Sequence, residues 1–145
     1  MPDDLDLEVA ELLEDLATRD LDATPFPVVH LGTHHVKRRR FGRSVPRAVV
    51  MATGVERSGE VEPIGVAFGD PEDAAFWRTF LLSLVARRLR GVELVAVGDH
   101  EAALAAVQEV FRSAVVLEVE AIEDLDEALR LSGYGDLVGG DPSVD

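Results

Sequence analysis

The sequence predicts an α/β domain built on a mixed five-stranded sheet. Three observations support this. Strand-like segments at 26–36, 47–53 and 61–68 follow one another with only short turn-rich links between them. After them, helix-like and strand-like segments alternate to the end of the chain. One of the later segments, VELVAV at 92–97, is nearly all apolar, as a buried strand is.

Length and composition fit such a domain. The chain has 145 residues, 47% of them hydrophobic and 29% charged, which suits one folded core rather than disorder. No apolar run reaches the roughly 18 residues that a membrane span needs. The first residues, Met1-Pro2-Asp3-Asp4, are acidic where a signal peptide is basic. There is no cysteine, so disulfides and thiolate metal sites are excluded. A cytoplasmic location is compatible with all of this. The net charge of −14 is unevenly placed. Residues 1–22 and 118–145 each carry −8, whereas 23–117 carry +2. The whole chain is thus a poor non-specific binder of nucleic acid, an objection that does not apply to its middle.

The elements follow in order. Leu5, Val9, Leu12, Leu13 and Leu16 have helical spacing, which predicts a leading amphipathic helix over 5–17. Asp3 and Asp4 suit its positive end. Pro25 and Pro27 bar any continuation. The three strands come next, as an antiparallel meander linked through Phe41-Gly42-Arg43-Ser44 and Glu56-Arg57-Ser58-Gly59. Asp70 then reads as an N-cap with Pro71 at the first helical position. Phe76, Trp77, Phe80, Leu81, Leu84, Val85 and Leu89 form the apolar face of that helix, and Gly91 suits its left-handed end. The strand at 92–97, an alanine-rich helix at 100–111, a strand at 114–119 and a helix at 121–131 complete the order. The tail 133–145, rich in Gly, Asp and Ser, is expected to fray. The predicted organisation is an acidic helix at 1–22, a domain at 23–132 and a flexible acidic tail at 133–145. The order β-β-β-α-β-α-β-α matches a ribonuclease-H-like fold, although the pattern alone leaves several α/β folds open.

Motifs spread over residues 12–111 narrow that choice. In order they are Val28-Val29-His30-Leu31-Gly32-Thr33-His34-His35-Val36-Lys37, Ala48-Val49-Val50-Met51-Ala52-Thr53-Gly54-Val55, Ile64-Gly65 and Gly69-Asp70-Pro71-Glu72. The Phe76-Trp77 pair, Arg90-Gly91-Val92, Leu94-Val95, Gly98-Asp99-His100-Glu101 and Val110-Phe111 follow. In this order and spacing they resemble the catalytic domain of Mutator-type transposases of bacterial insertion sequences. The resemblance covers about two-thirds of the chain and implies a ribonuclease-H-like fold. It also implies a site in which three carboxylates hold two divalent cations for DNA strand chemistry. The chain departs from that pattern at the chemistry. The first Asp position falls on Gly32 and the second on Gly98. A Cys-x-x-His element falls on Val119 and Ile122, and the third acid lies beyond a helical insertion for which this chain is too short. No catalytic residue and no cofactor are therefore expected.

Three other groups bear on function. His30, His34 and His35 lie on the first strand and Asp99, His100 and Glu101 follow the fourth, so a rebuilt metal site at His34, Asp99 and His100 is conceivable. Polar residues at strand ends are the commoner reading, since no close ligand spacing supports the metal. Lys37, Arg38, Arg39, Arg40, Arg43 and Arg47 form a basic arm, and no acid interrupts 37–55. Such an arm suits phosphates, but a solvated turn or a patch docking on acidic ends of this or another chain is preferred. Trp77, Phe76 and Phe80 read as core, and no serine has the context of a hydrolase nucleophile. The expected function is a non-enzymatic, transposase-related interaction module or domesticated remnant that binds a protein partner or itself. The alternatives are DNA binding through the basic arm and an enzyme with the rebuilt metal site.

Overall fold

The computed structural model describes Leu16 and residues 18–40 and 43–138, with the backbone alone for 35–40 and 43–47. The helix expected at 5–17, apart from Leu16, and the tail beyond Val138 lie outside the described residues. Five strands, β1 (Val28–Arg40), β2 (Arg43–Val55), β3 (Val61–Gly69), β4 (Leu94–Val97) and β5 (Val115–Glu118), form one sheet. Helices α1 (Ala74–Ala86), α2 (Glu101–Val110) and α3 (Leu125–Leu131) cover it. The strand order is β3-β2-β1-β4-β5. β1 runs antiparallel to β2 and β2 to β3, while β4 is parallel to both β1 and β5. The mixed five-stranded α/β sheet read from the sequence is therefore present. Among the described residues no helix is long and apolar enough to cross a membrane.

Strand alternation divides the core in two. Val29, Leu31, Val50, Ala52, Ile64, Val95 and Val97 point to one face, where they pack against Trp77, Phe80, Leu81 and Leu84 of α1 and Ala103, Ala106 and Val107 of α2. Val28, Val55, Leu94 and Ala96 point to the other face and meet Val119, Leu125, Leu129 and Val138. β4 is buried along its whole length because both of its faces are covered.

Several boundaries differ from the sequence reading, each for a local reason. β1 and β2 run through the basic segment, since their antiparallel register continues from Val28↔Val55 to Arg40↔Arg43. Arg43 and Ser44, expected in a turn, are thus strand residues. Asp73 rather than Asp70 caps α1, its carboxylate accepting the Ala75 N–H at 2.9 Å. Asp70 instead accepts from the Glu72 N–H at 2.9 Å, and the Pro71 carbonyl accepts the Trp77 indole N–H at 2.7 Å. The chain before α1 is thereby held as a turn.

At the other end of α1, Arg88 takes the left-handed position at φ 70°. The Arg88 N–H reaches the Val85 carbonyl at 2.9 Å and the Leu89 N–H reaches that of Leu84 at 3.1 Å, which closes a Schellman motif. Gly91, also left-handed at φ 79°, serves the next bend, where a Cβ would stand 2.8 Å from Pro25. The last helix is split into a 3-10 turn, Ile122–Asp124, and α3. Residues 133–138 continue the fold past α3. Gly133 turns left-handed at φ 87°, the Tyr134 N–H reaches the Leu129 carbonyl at 2.7 Å, and Val138 is buried against α3.

Trp77 has no solvent exposure, and its single polar atom is satisfied. Replacing Trp77 by Ala should cost about 3–5 kcal/mol, from lost burial and the cavity left behind. The same change at exposed Leu131 should cost under about 0.5 kcal/mol. Chemical denaturation of the two variants checks this contrast.

Candidate functional site

Register determines which side chains meet at the site. On β1, His30, Gly32 and His34 alternate onto the face that carries α3. Their partners on β2 are Thr53, Met51 and Val49. The parallel strand β4 ends at Val97, so Gly98, Asp99 and His100 emerge beside the same edge. The stretch from Glu120 to Glu123, leading into α3, closes the other side. A cleft of about 330 Å3 results, lined by His30, Gly32, His34, Met51, Thr53, His100, Glu120 and Glu123 among others.

His30 lies at the floor. It is 3% exposed and its Nε2 sits 3.2 Å from the Val119 carbonyl, to which a protonated Nε2 donates. Burial pushes its pKa below the usual 6.5, against the opposing pull of the Val119 and Glu120 backbone and the Glu120 and Glu123 charges. The net shift favours the neutral ring. His100 sits at the start of α2, its ring 6.4 Å from that of Trp77. Its Nε2 is buried without a hydrogen bond, 3.6 Å from the Glu120 carboxylate.

Gly32 and Gly98 are not equivalent. A Cβ on Gly32 would meet His30 at 3.5 Å, an ordinary contact, so a side chain fits there. The space beside Gly98 is filled: the Glu120 carboxyl carbon lies 2.7 Å from where a Cβ would stand. Glu120 therefore occupies the room that a residue-98 side chain would take. Sequence reading missed this contact because it is non-local. The available signal was the parallel β4–β5 register, Val97↔Glu118, which carries the residues after each strand out side by side.

The proposed metal ligands are not brought together as a set. His34 and His100 border the cleft, but Asp99 opens instead on a groove of about 660 Å3 between α1 and α2, beside Glu72 and Glu101. Among the described residues no three His, Asp or Glu side chains stand where they could share a metal ion. Among the described residues, the lining of the cleft does not fit a two-cation centre. Val119 is buried in the core behind the cleft, and Ile122 lines its wall. The His35 side chain lies outside the described residues.

The basic arm is an extension of the sheet. β1 pairs with β4 only over Val28–Leu31, and β2 pairs with β3 only from Ala48 onward. Residues 36–40 and 43–47 therefore pair with each other alone, as a two-stranded ribbon. At about 3.3 Å per residue it reaches roughly 15 Å past its neighbours. Lys37, Arg38, Arg39, Arg40, Arg43 and Arg47 all lie on it, with side chains outside the described set.

The family model and the curated relatives that match agree on one family. A family model described as "Transposase, Mutator family" matches residues 4–119. The transposase for insertion sequence element IS1081 of Mycobacterium tuberculosis is 38% identical over 100 residues, 69% of this chain and 24% of its own length. That for ISRM5 of Rhizobium meliloti is 35% identical over 104 residues, 72% of this chain and 26% of its own. That for IS406 of Burkholderia multivorans is 39% identical over 95 residues, 66% of this chain and 24% of its own. The chain thus spans about a quarter of the length of these relatives. Among solved structures, a chain of a simian T-cell lymphotropic virus intasome in complex with PP2A regulatory subunit B56 gamma covers 86% of this chain and 49% of its own. Its TM-score is 0.41 at 11% identity.

The contact between Glu120 and Gly98 is directly testable. Gly98→Ala must push aside the exposed end of the Glu120 side chain, so its effect on stability should be more favourable, by up to about 0.5–1 kcal/mol, when Glu120→Ala is already present. A double-mutant cycle from denaturation curves measures the difference, and strictly additive costs would remove the contact from the account.

Proposed function

The chain belongs to the Mutator family of transposases, and on that premise we propose that it is a ribonuclease-H-like domain kept for binding rather than for strand chemistry. The observation that carries this reading is the pair Gly32 and Gly98. The resemblance puts the first two cation-holding carboxylates at these positions. Gly32 offers open space and no ligand, and Gly98 offers only space that Glu120 fills. Two cations 3–4 Å apart, roughly, need several oxygen ligands converging on them. Glu120 and Glu123 are the cleft's carboxylates, and both are solvent-exposed residues on one side of it. The sheet order β3-β2-β1-β4-β5, with its first three strands antiparallel and its last two parallel to β1, supports the fold name.

The test is strand cleavage. Purified protein with supercoiled plasmid and Mg²⁺ or Mn²⁺ should yield no nicked product above a metal-only control. Nicking that requires the protein and disappears with His100→Ala would overturn the proposal.

A second reading, DNA binding, is favoured by the ribbon. Its six bases lie on a two-stranded extension free of acidic residues, a form that fits along a phosphate backbone. If all six bases engage phosphates, log affinity should fall against log salt with a slope approaching about −5. Arg38→Glu with Arg39→Glu should abolish retention of a DNA duplex at low salt. Unchanged retention by that variant, measured by fluorescence anisotropy, removes the ribbon from the DNA reading.

A further inference from the structure

The cleft beside β1 is lined by groups that accept hydrogen bonds. His30 lies at its floor, 3% exposed, with Nε2 beside the Val119 carbonyl. A carbonyl can only accept, so this contact puts the ring proton on Nε2 and leaves a lone pair on Nδ1 of the neutral ring. Among the described residues no hydrogen bond reaches Nδ1. It faces the open room at Gly32, 3.8 Å from where a Cβ would stand. Thr33 Oγ1 and His100 Nε2, on the same lining, are buried and also lack a hydrogen-bond partner.

Charge around the cleft has one sign. Glu120 and Glu123 are exposed on one side, and both carboxylates act electrostatically on His30. No Lys or Arg is among the described lining residues. Polar atoms without partners are a cost that a hydrogen-bonding guest can remove. The carboxylates favour a guest that is positive. A bare metal ion is a poor one, because its ligands must converge on a single point. No three His, Asp or Glu side chains do so among the described residues. A guanidinium differs. Its N–H donors fan outward in a plane and meet acceptors that are spread apart. The cleft volume of about 330 Å3 is at the small end for ligand sites, and Met51 and Ile122 give an aliphatic stem an apolar wall.

We propose that this cleft binds a guanidinium group, carried by a free small molecule or by an arginine side chain of a peptide. The head occupies the room at Gly32. It donates to His30 Nδ1 at the floor and to the Glu120 and Glu123 carboxylates at the rim. This names a ligand for the binding role proposed above and rests on that reading. The two fail separately, since a cleft that takes no cation leaves the strand-cleavage result as it stands.

Isothermal titration calorimetry of the full chain, with a chelator present to keep metal ions out, is the test. Butylguanidine stands for the free compound and N-acetyl-argininamide for the peptide side chain. Butylurea is the neutral counterpart of the first. Butylguanidine should bind with a dissociation constant of about a millimolar or below, and butylurea at least roughly tenfold more weakly. Tighter binding of N-acetyl-argininamide assigns the site to a peptide, and tighter binding of butylguanidine to a free compound. Glu120→Gln with Glu123→Gln, both exposed positions, should weaken binding by roughly tenfold or more. Gly32→Val should abolish it with both carboxylates still present, because the new side chain fills the room beside His30, where a Cβ meets only ordinary contacts from 3.5 Å outward. Unchanged Trp77 emission shows that each variant has folded. Absence of binding by both guanidinium probes overturns the proposal. So does butylurea binding as tightly as butylguanidine, or undiminished binding by either variant.

Discussion

Everything in this structure hangs on the antiparallel ladder between β1 and β2. Thirteen residue pairs run from Val28↔Val55 to Arg40↔Arg43 without a break in register. At its inner end the ladder anchors the sheet, with β4 beside β1 and β3 beside β2. Its alternation sends Val29 and Leu31 into the core under α1 and α2, and His30, Gly32 and His34 toward the cleft. A slip by one residue would exchange those two sets and bury the wrong one. At its outer end the same ladder carries the basic residues beyond every other strand. Core, cleft and ribbon are thus three stretches of one pairing.

Much of the fold was legible because its signals are local. The apolar runs at 92–97 and 114–119, the alanine-rich stretch at 100–111 and the aromatic face of α1 each announce an element from their own residues. Boundaries were less legible where two local signals competed. Asp70 and Asp73 are both sound caps, and only the use of the Pro71 carbonyl by Trp77 sets the helix start at the second. Gly91 was the natural residue for a left-handed helix end, yet Arg88 takes that role. The Leu84–Leu89 pairing closes the helix three residues sooner than the glycine would. The extent of the ribbon was hidden for another reason. Strand pairing through a run of arginines leaves no hydrophobic alternation to read.

The cleft shows a different limit. That Gly32 and Gly98 lack a carboxylate follows from the sequence alone. That Glu120 lies over Gly98 does not, because two parallel strands must first be placed side by side. The glycine and the glutamate are best understood as one feature. A side chain at 98 and the present position of Glu120 exclude each other. The charge near this corner of the sheet has a different origin and a different reach from the one the family pattern assigns. His100, beside it with an unsatisfied ring nitrogen, shares the same small volume.

Trp77 closes the account from another side. It is the only tryptophan in the chain, enclosed by the core, with its indole nitrogen tied to the Pro71 carbonyl and the His100 ring nearby. The protein therefore contains a native optical label at the junction of α1, the turn before it and the start of α2. Its emission will be that of an indole in an apolar setting and will shift to the red when water enters.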